Sequence, residues 1–170
     1  QTTITYPPPT TGGTSYVKLF TYSPSDHLLG KLTQSQEKVT SSVWAVTTYL
    51  YEDTNAPCQP SKITDPLGRE TVLSYTADGL ISSITRPSSA TGSTTKTITY
   101  EYDSNHNLVS ITDTEGNETT FTNNNNGNPT VVNQYEGAFE NGVIKARVET
   151  TYDANDHVTD TENTVTSEVT

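Results

Sequence analysis

The chain has 170 residues, enough for one ordinary domain, and only 30% of them are hydrophobic even with ten tyrosines counted. Nine lysines and arginines against twenty aspartates and glutamates leave a formal charge of −11, which removes the attraction on which nucleic-acid binding depends. No stretch approaches the roughly eighteen apolar residues of a membrane span, and the N-terminus lacks a charged region followed by an apolar run, so an export signal is expected to lie outside this sequence.

Disorder is a poor reading of the low hydrophobicity, because Thr, Val, Ile and Tyr alternate throughout, as they do in half-buried strands. Thin or curved sheets with modest burial fit this composition better than a sandwich with a dense centre.

In chain order, Gln1–Tyr6 alternates like a short strand, and Pro7-Pro8-Pro9 then blocks both helix and ladder pairing. Gly12-Gly13 marks a turn. In Tyr16–Tyr22, Tyr16, Lys18, Phe20 and Tyr22 share one face and Val17, Leu19 and Thr21 the other. A turn is expected at Ser23-Pro24-Ser25-Asp26, followed by strands over His27–Gln36 and Val39–Tyr51. The second of these holds the only tryptophan, Trp44, which reads as a packing anchor. Ala56–Pro60 is a loop around Cys58, which as the only cysteine has no internal disulfide partner.

From Thr48 a pattern repeats. Thr48-Tyr49-Leu50-Tyr51-Glu52-Asp53 parallels Thr99-Tyr100-Glu101-Tyr102-Asp103, and Ile63-Thr64-Asp65-Pro66-Leu67-Gly68 parallels Ile111-Thr112-Asp113-Thr114-Glu115-Gly116. Asp65 and Asp113 stand 48 residues apart (113 − 65), as do Gly79 and Gly127 (127 − 79). Within Thr97–Thr122, Tyr100 and Tyr102 leave one face and Glu101 the other. Asp103–Asn107 then forms a turn, Leu108–Thr112 returns, and Asp113–Gly116 turns again, with glycine where positive φ is needed. Two turns so close make a β-meander. Tyr51, Tyr75, Tyr102, Phe121 and Tyr152 are each expected to end a strand before a polar turn, with irregular lengths absorbed at Arg86–Lys96 and Tyr135–Gly142. The last copy, from Thr150, has Asp153 but Asn163 where a glycine is expected. The polar strand-like tail carries no capping segment, which suggests an excerpt, or a subunit whose sheet edges are paired by other chains. Residues 1–47 read as a less regular β region and 48–170 as the hairpin repeats.

The units Tyr-x-Tyr-Asp, Ile-Thr-Asp-Pro-x-Gly-Arg and Ala-Asp-Gly-Leu-Ile-Ser-Ser-Ile-Thr resemble the tyrosine–aspartate (YD) or Rhs repeats of bacterial Rhs and wall-associated toxins, insecticidal toxin complexes and teneurins. The resemblance covers about residues 48–160, with a loose match at Phe20–Leu32. It implies an all-β fold, a repetitive antiparallel hairpin strip that curls into part of a spiral shell. The family's shell-closing core region, its autoproteolytic aspartates and any toxin domain have no recognisable match here.

No residue stands out as catalytic, cofactor-binding or metal-binding. Asp65, Glu70, Asp113 and Glu118 occupy repeated turns, where turn chemistry explains their recurrence. His27, His106 and His157 lie in or beside turns without a second ligand at zinc spacing. Asp113–Glu118 gathers oxygen ligands around a glycine but lacks the alternating spacing of a calcium loop. Asn123–Asn126 reads as a polar turn, and Asn117-Glu118-Thr119 matches a glycosylation acceptor. The expected function is that of a non-catalytic scaffold, a segment of an extracellular or cell-surface β-shell. Its partners would be neighbouring repeats or further copies of the chain, paired through sheet edges. An adhesion module binding glycan or protein through exposed tyrosines is the alternative. An enzyme is not expected, and neither is a nucleic-acid partner or a membrane span.

Overall fold

The structure, a computed structural model, describes residues 1–6, 16–24, 30–40, 42–88 and 94–165. The Pro7–Pro9 run, Gly12-Gly13, His27 and the last five residues of the tail lie outside the described residues. All regular elements among the described residues are strands, and the chain divides into two compact units, Gln1–Thr95 and Lys96–Thr170.

The first unit is a meander of β1 (Thr2–Tyr6), β2 (Tyr16–Tyr22), β3 (Leu32–Lys38), β4 (Trp44–Leu50), β5 (Lys62–Thr64), β6 (Glu70–Tyr75) and β7 (Ile81–Pro87). The second contains β8 (Thr95–Tyr102) from its second residue on, β9 (Leu108–Thr112), β10 (Glu118–Asn123), β11 (Pro129–Glu136), β12 (Val143–Tyr152) and β13 (Val158–Val165). Within each unit every strand pairs antiparallel with its neighbours in sequence.

Directly opposed residues share a face, so the ladders sort the side chains. One face carries Phe20 opposite Ser35 and Thr47, and Tyr49 opposite Ile63 and Thr71. In the second unit the corresponding face carries Tyr100 opposite Ile111 and Thr119, and Phe121 opposite Val132, Val148 and Asn163. The other face of that unit is polar, with Glu101, Ser110, Thr120, Asn133, Arg147 and Thr164 in one row. The alternation in β8 is therefore as the sequence implies: Ile98, Tyr100 and Tyr102 are half-buried and Thr97, Thr99 and Glu101 exposed.

Among the described residues neither unit has a second layer of secondary structure. Among the described residues no side chain is fully buried, and the buried apolar residues are Ala56, Tyr75 and Tyr135. Cross-strand pairs, at about 0.2–1 kcal/mol each, and the ordering of turns take over the work of a packed centre.

Several expected boundaries move, each for a local reason. Val39–Tyr51 is not one strand: Val39 and Thr40 donate to the Val43 carbonyl and the Thr40 hydroxyl accepts from Val43 N–H, so a turn separates β3 from β4. The β-branched residues of that turn disguised it. Trp44 therefore starts a strand and sits half-buried beneath Lys38, whose ammonium lies 6.0 Å from the ring centroid; a single layer offers no interior for it to anchor. Of the strand expected over His27–Gln36, residues 27–29 lie outside the described residues; β3 begins at Leu32, after Gly30 at φ 76° and a Ser23 N–H bond to the Lys31 carbonyl. Phe121 does not end β10; Asn123 does, and Phe121 takes the place of Tyr100. Asn163 lies within β13 opposite Val148, and the positive-φ position of the last turn is held by Asp156.

Candidate functional surface: turn carboxylates and an aromatic face

Six turns share one five-residue form. In Asp65–Arg69, Thr76–Leu80, Asp103–Asn107, Asp113–Asn117, Asn124–Asn128 and Asp153–His157, the first N–H donates to the fifth carbonyl and the fourth N–H to the first carbonyl. The fourth residue takes positive φ: Gly68, Gly79, His106, Gly116, Gly127 and Asp156. This is a type I turn closed by a left-handed residue, which suits the twist of a hairpin.

The first side chain of each turn explains why aspartate recurs. Oδ1 of Asp113 accepts from Glu115 N–H at 2.7 Å and Asn117 N–H at 2.9 Å, while Oδ2 accepts from the Asn117 amide at 2.9 Å. Asp103 does the same with Asn105, Asn107 and the Asn107 amide, and Asp65 with Leu67, Arg69 and the Arg69 guanidinium. Asp153 holds Asn155, His157 and the His157 ring. Asn124 offers a carboxamide oxygen to Asn126 and Asn128 at 3.0 and 2.9 Å, and Thr76 a hydroxyl to Leu80 N–H.

These donors hold the carboxylates in their charged form. The Arg69 guanidinium draws Asp65 below the ordinary carboxylate range, the Asn107 backbone N–H draws down Asp103, the Asn117 amide Asp113, and the His157 backbone N–H Asp153. A general acid uses a carboxyl shifted in the opposite direction.

The repeated tyrosine has its own partner. The Tyr51 hydroxyl donates to the Leu32 carbonyl, Tyr152 to Pro129, and Tyr75 to Pro60. At the end of β10 the Asn123 amide donates to the Leu108 carbonyl at 2.9 Å. Tyr152 and Asn123 at the ends of their strands, and Tyr51 one residue past β4, each tie down the residue that opens the strand before, and Pro60 lies just ahead of β5. Burial pushes the Tyr51, Tyr75 and Tyr102 phenols up.

After the turns at Tyr75, Tyr102, Asn123 and Tyr152 the register shifts by one residue. Such bulges increase local twist. In β3 and β11 the extra residue is a threonine whose hydroxyl bonds across the ladder, Thr33 to the Thr21 carbonyl and Thr130 to the Thr122 carbonyl.

Two segments depart from the tight turn. Asp53 parallels Asp103 in sequence, but Pro57 stands where the fifth residue would donate an N–H. Asp53 instead accepts from Asn55 N–H and reaches Tyr75 N–H at 3.3 Å, so the loop carrying the exposed Cys58 packs against the next hairpin. The second is Gly137–Gly142, which folds back on Asn117 and Glu118, where the Asp113–Asn117 turn meets β10. Glu118 Oε2 accepts from Phe139 N–H at 2.7 Å, Oε1 accepts from the buried Ser110 hydroxyl at 2.6 Å, and Phe139 packs edge-on against Tyr135.

Within Asp113–Glu118 the Asp113 and Glu118 carboxylates accept from protein donors, and Glu115 is paired to Lys96. His106 and His157 lie in separate turns, and no group of three metal-ligating side chains comes together among the described residues. The Asn117 carboxamide of the glycosylation sequence donates to Asp113 and accepts from Gly137 N–H at 3.1 Å. Lys18, Phe20, Ser35, Glu37, Ala45 and Thr47 line a shallow depression on the aromatic face of the first unit, without a convergent set of reactive groups. No helix among the described residues is long and apolar enough to cross a membrane.

Comparison with known proteins agrees with this geometry. The RHS Repeat family model matches residues 86–118 and 102–134. No curated protein sequence matches the chain. Among solved structures, a crystal structure of TcdB2-TccC3-Cdc42 superposes with a TM-score of 0.69 at 16% identity, covering 88% of this chain and 8% of that one. TcdB2-TccC3 without its hypervariable C-terminal region gives 0.69 at 12% identity, covering 89% and 8%. A structure of the Photorhabdus luminescens Tc holotoxin pore gives 0.66 at 16% identity, covering 88% and 8%. The chain therefore spans about a twelfth of the length of these structural relatives. Residues 86–134 therefore match the RHS repeat in sequence, and the antiparallel meander to either side of them is shared with these structures as a fold.

Proposed function

We propose that the chain is a non-catalytic scaffold segment, part of an extracellular or cell-surface β-shell or assembly built from repeated hairpins. The observation that carries this reading is the commitment of the repeat's signature residues to the repeat itself. The aspartates that open the turns, Asp65, Asp103, Asp113 and Asp153, each accept from their own turn, and Tyr51 and Tyr152 bond carbonyls of neighbouring strands. A sequence whose recurring polar groups all serve its backbone is organised for extension, with stability growing as units are added. Its partners would be adjacent repeats or another copy of the chain added at a sheet edge.

Light scattering and electron microscopy on one sample of the chain test this. Ordered fibres or rings, or a monomer whose outermost strands exchange amide hydrogens first, agree with a strip stabilised by its neighbours. A monomer protected equally along its length, edges included, would contradict it. The aromatic face supports a second reading, adhesion to glycan or protein. Substituting Tyr100 should then abolish binding and leave folding intact, and unaltered binding would count against it.

A further inference from the structure

The chain contains two Asn-Gly pairs, Asn126-Gly127 and Asn141-Gly142. Such pairs are open to spontaneous deamidation, since glycine has no Cβ to hinder approach of its backbone nitrogen to the preceding carboxamide. The nitrogen of the glycine attacks the asparagine Cγ, the N–Cγ bond forms and the Cγ–Nδ2 bond breaks, and ammonia leaves with the proton. Water then opens the cyclic imide to aspartate or isoaspartate.

The two sites differ in how the carboxamide is held. Asn126 Nδ2 donates to both oxygens of Asp156, at 2.9 and 3.1 Å, across the space between two successive turns. Asn128 Nδ2 adds a third bond to the same carboxylate at 2.8 Å. Bringing Asn126 Cγ to the Gly127 nitrogen requires these charge-assisted bonds to be given up. The Gly127 N–H is also engaged, by the Asn124 carbonyl at 3.0 Å. Asn141 is exposed, and its side chain makes no hydrogen bond among the described residues; only its backbone and that of Gly142 are tied, to the Ala138 carbonyl.

We infer that Asn141 is the deamidation site of the folded chain and that the Asp156 carboxylate protects Asn126. The new carboxylate at position 141 would follow Glu140 directly in a loop that is docked on Glu118 through Phe139 N–H, with Glu136 paired to Lys145 at its base.

The test is peptide mapping by mass spectrometry after incubation of the folded chain in mildly alkaline buffer. Conversion at Asn141 should outrun Asn126 by at least about tenfold, the factor that one charge-assisted hydrogen bond supplies. In denaturant the two should react at similar rates. Asp156→Gly removes the carboxylate while suiting the positive φ of that position, so the turn is retained, and it should speed Asn126 without altering Asn141. Equal rates in the folded chain, or an Asp156→Gly variant whose Asn126 stays slow while circular dichroism reports a native sheet, would overturn the inference.

Discussion

The hydroxyl of Tyr152 at the end of β12 donates to the carbonyl of Pro129, the first residue of β11, at 3.0 Å. The Tyr75 hydroxyl makes the corresponding bond to Pro60 at 2.8 Å from a ring that is only 5% exposed. Tyr75→Phe keeps the ring and removes the bond, and should cost about 1 kcal/mol in urea unfolding. Tyr75→Ala removes both and should cost about 3 kcal/mol or more. Equal losses for the two variants would show that the hydroxyl, and not the ring, carries the effect.

Glycines at the fourth turn position are not equivalent. A Cβ on Gly127 would meet Asn107 Oδ1 at 2.5 Å, whereas one on Gly116 meets nothing within 4 Å. Gly116→Ala should cost about 1–2 kcal/mol for the left-handed backbone alone. Gly127→Ala should exceed it, by however much Asn107 must move. Chemical denaturation of the pair, with Asn107→Ala as a background that erases the difference, measures this.

Acid should loosen the turns selectively. Asp65, Asp103, Asp113 and Asp153 all have folded values below their ordinary 3.8, so their contribution is present above that value and is lost as pH falls below it. Asn124 makes the same two backbone bonds with a neutral oxygen. Amide hydrogen exchange at falling pH, corrected for the intrinsic rate, should therefore show protection lost at Asn105, Leu67 and Glu115 while Asn126 keeps its own. Asp113→Asn should transfer that acid resistance to the 113–117 turn.

Glu118 links the Gly137–Gly142 loop to the strands. Glu118→Ala leaves the Ser110 hydroxyl, on a residue only 5% exposed, without its acceptor, and frees Phe139 N–H, at a cost of about 1–3 kcal/mol. Limited chymotryptic digestion should then cut after Phe139 faster in the variant than in the wild type. An unchanged digestion pattern would mean that the Phe139 contact with Tyr135 and the Gly137 bonds to Asn117 and to the backbone at 118 hold the loop without the Glu118 carboxylate.

The hairpin pattern was legible because the turn is encoded within five residues: Asp65, Asp103, Asp113 and Asp153 supply the acceptor, and Gly68, Gly79, Gly116 and Gly127 the left-handed position. His106 and Asp156 perform the glycine's part with polar side chains, and where a further turn was expected to end at Asn163 the chain runs on as β13. The bulges were invisible, since an extra residue in one strand leaves no compositional mark. Without them Phe121 looks like a strand end, although Asn123 makes the reaching bond that tyrosine makes elsewhere. The Val39–Val43 turn was hidden by side chains typical of strands. The partner of each tyrosine hydroxyl is a carbonyl, common to every residue, so only the structure could show which one it meets.

Because each strand within a unit pairs only with the strands next to it in sequence, closing a hairpin never has to await a distant part of the chain. Such a sheet can grow from the ribosome in the order of synthesis, each finished hairpin presenting a template edge for the next. The sequence of translation is then also the sequence of assembly, and a truncated product is left with a shorter sheet whose completed hairpins keep their pairing.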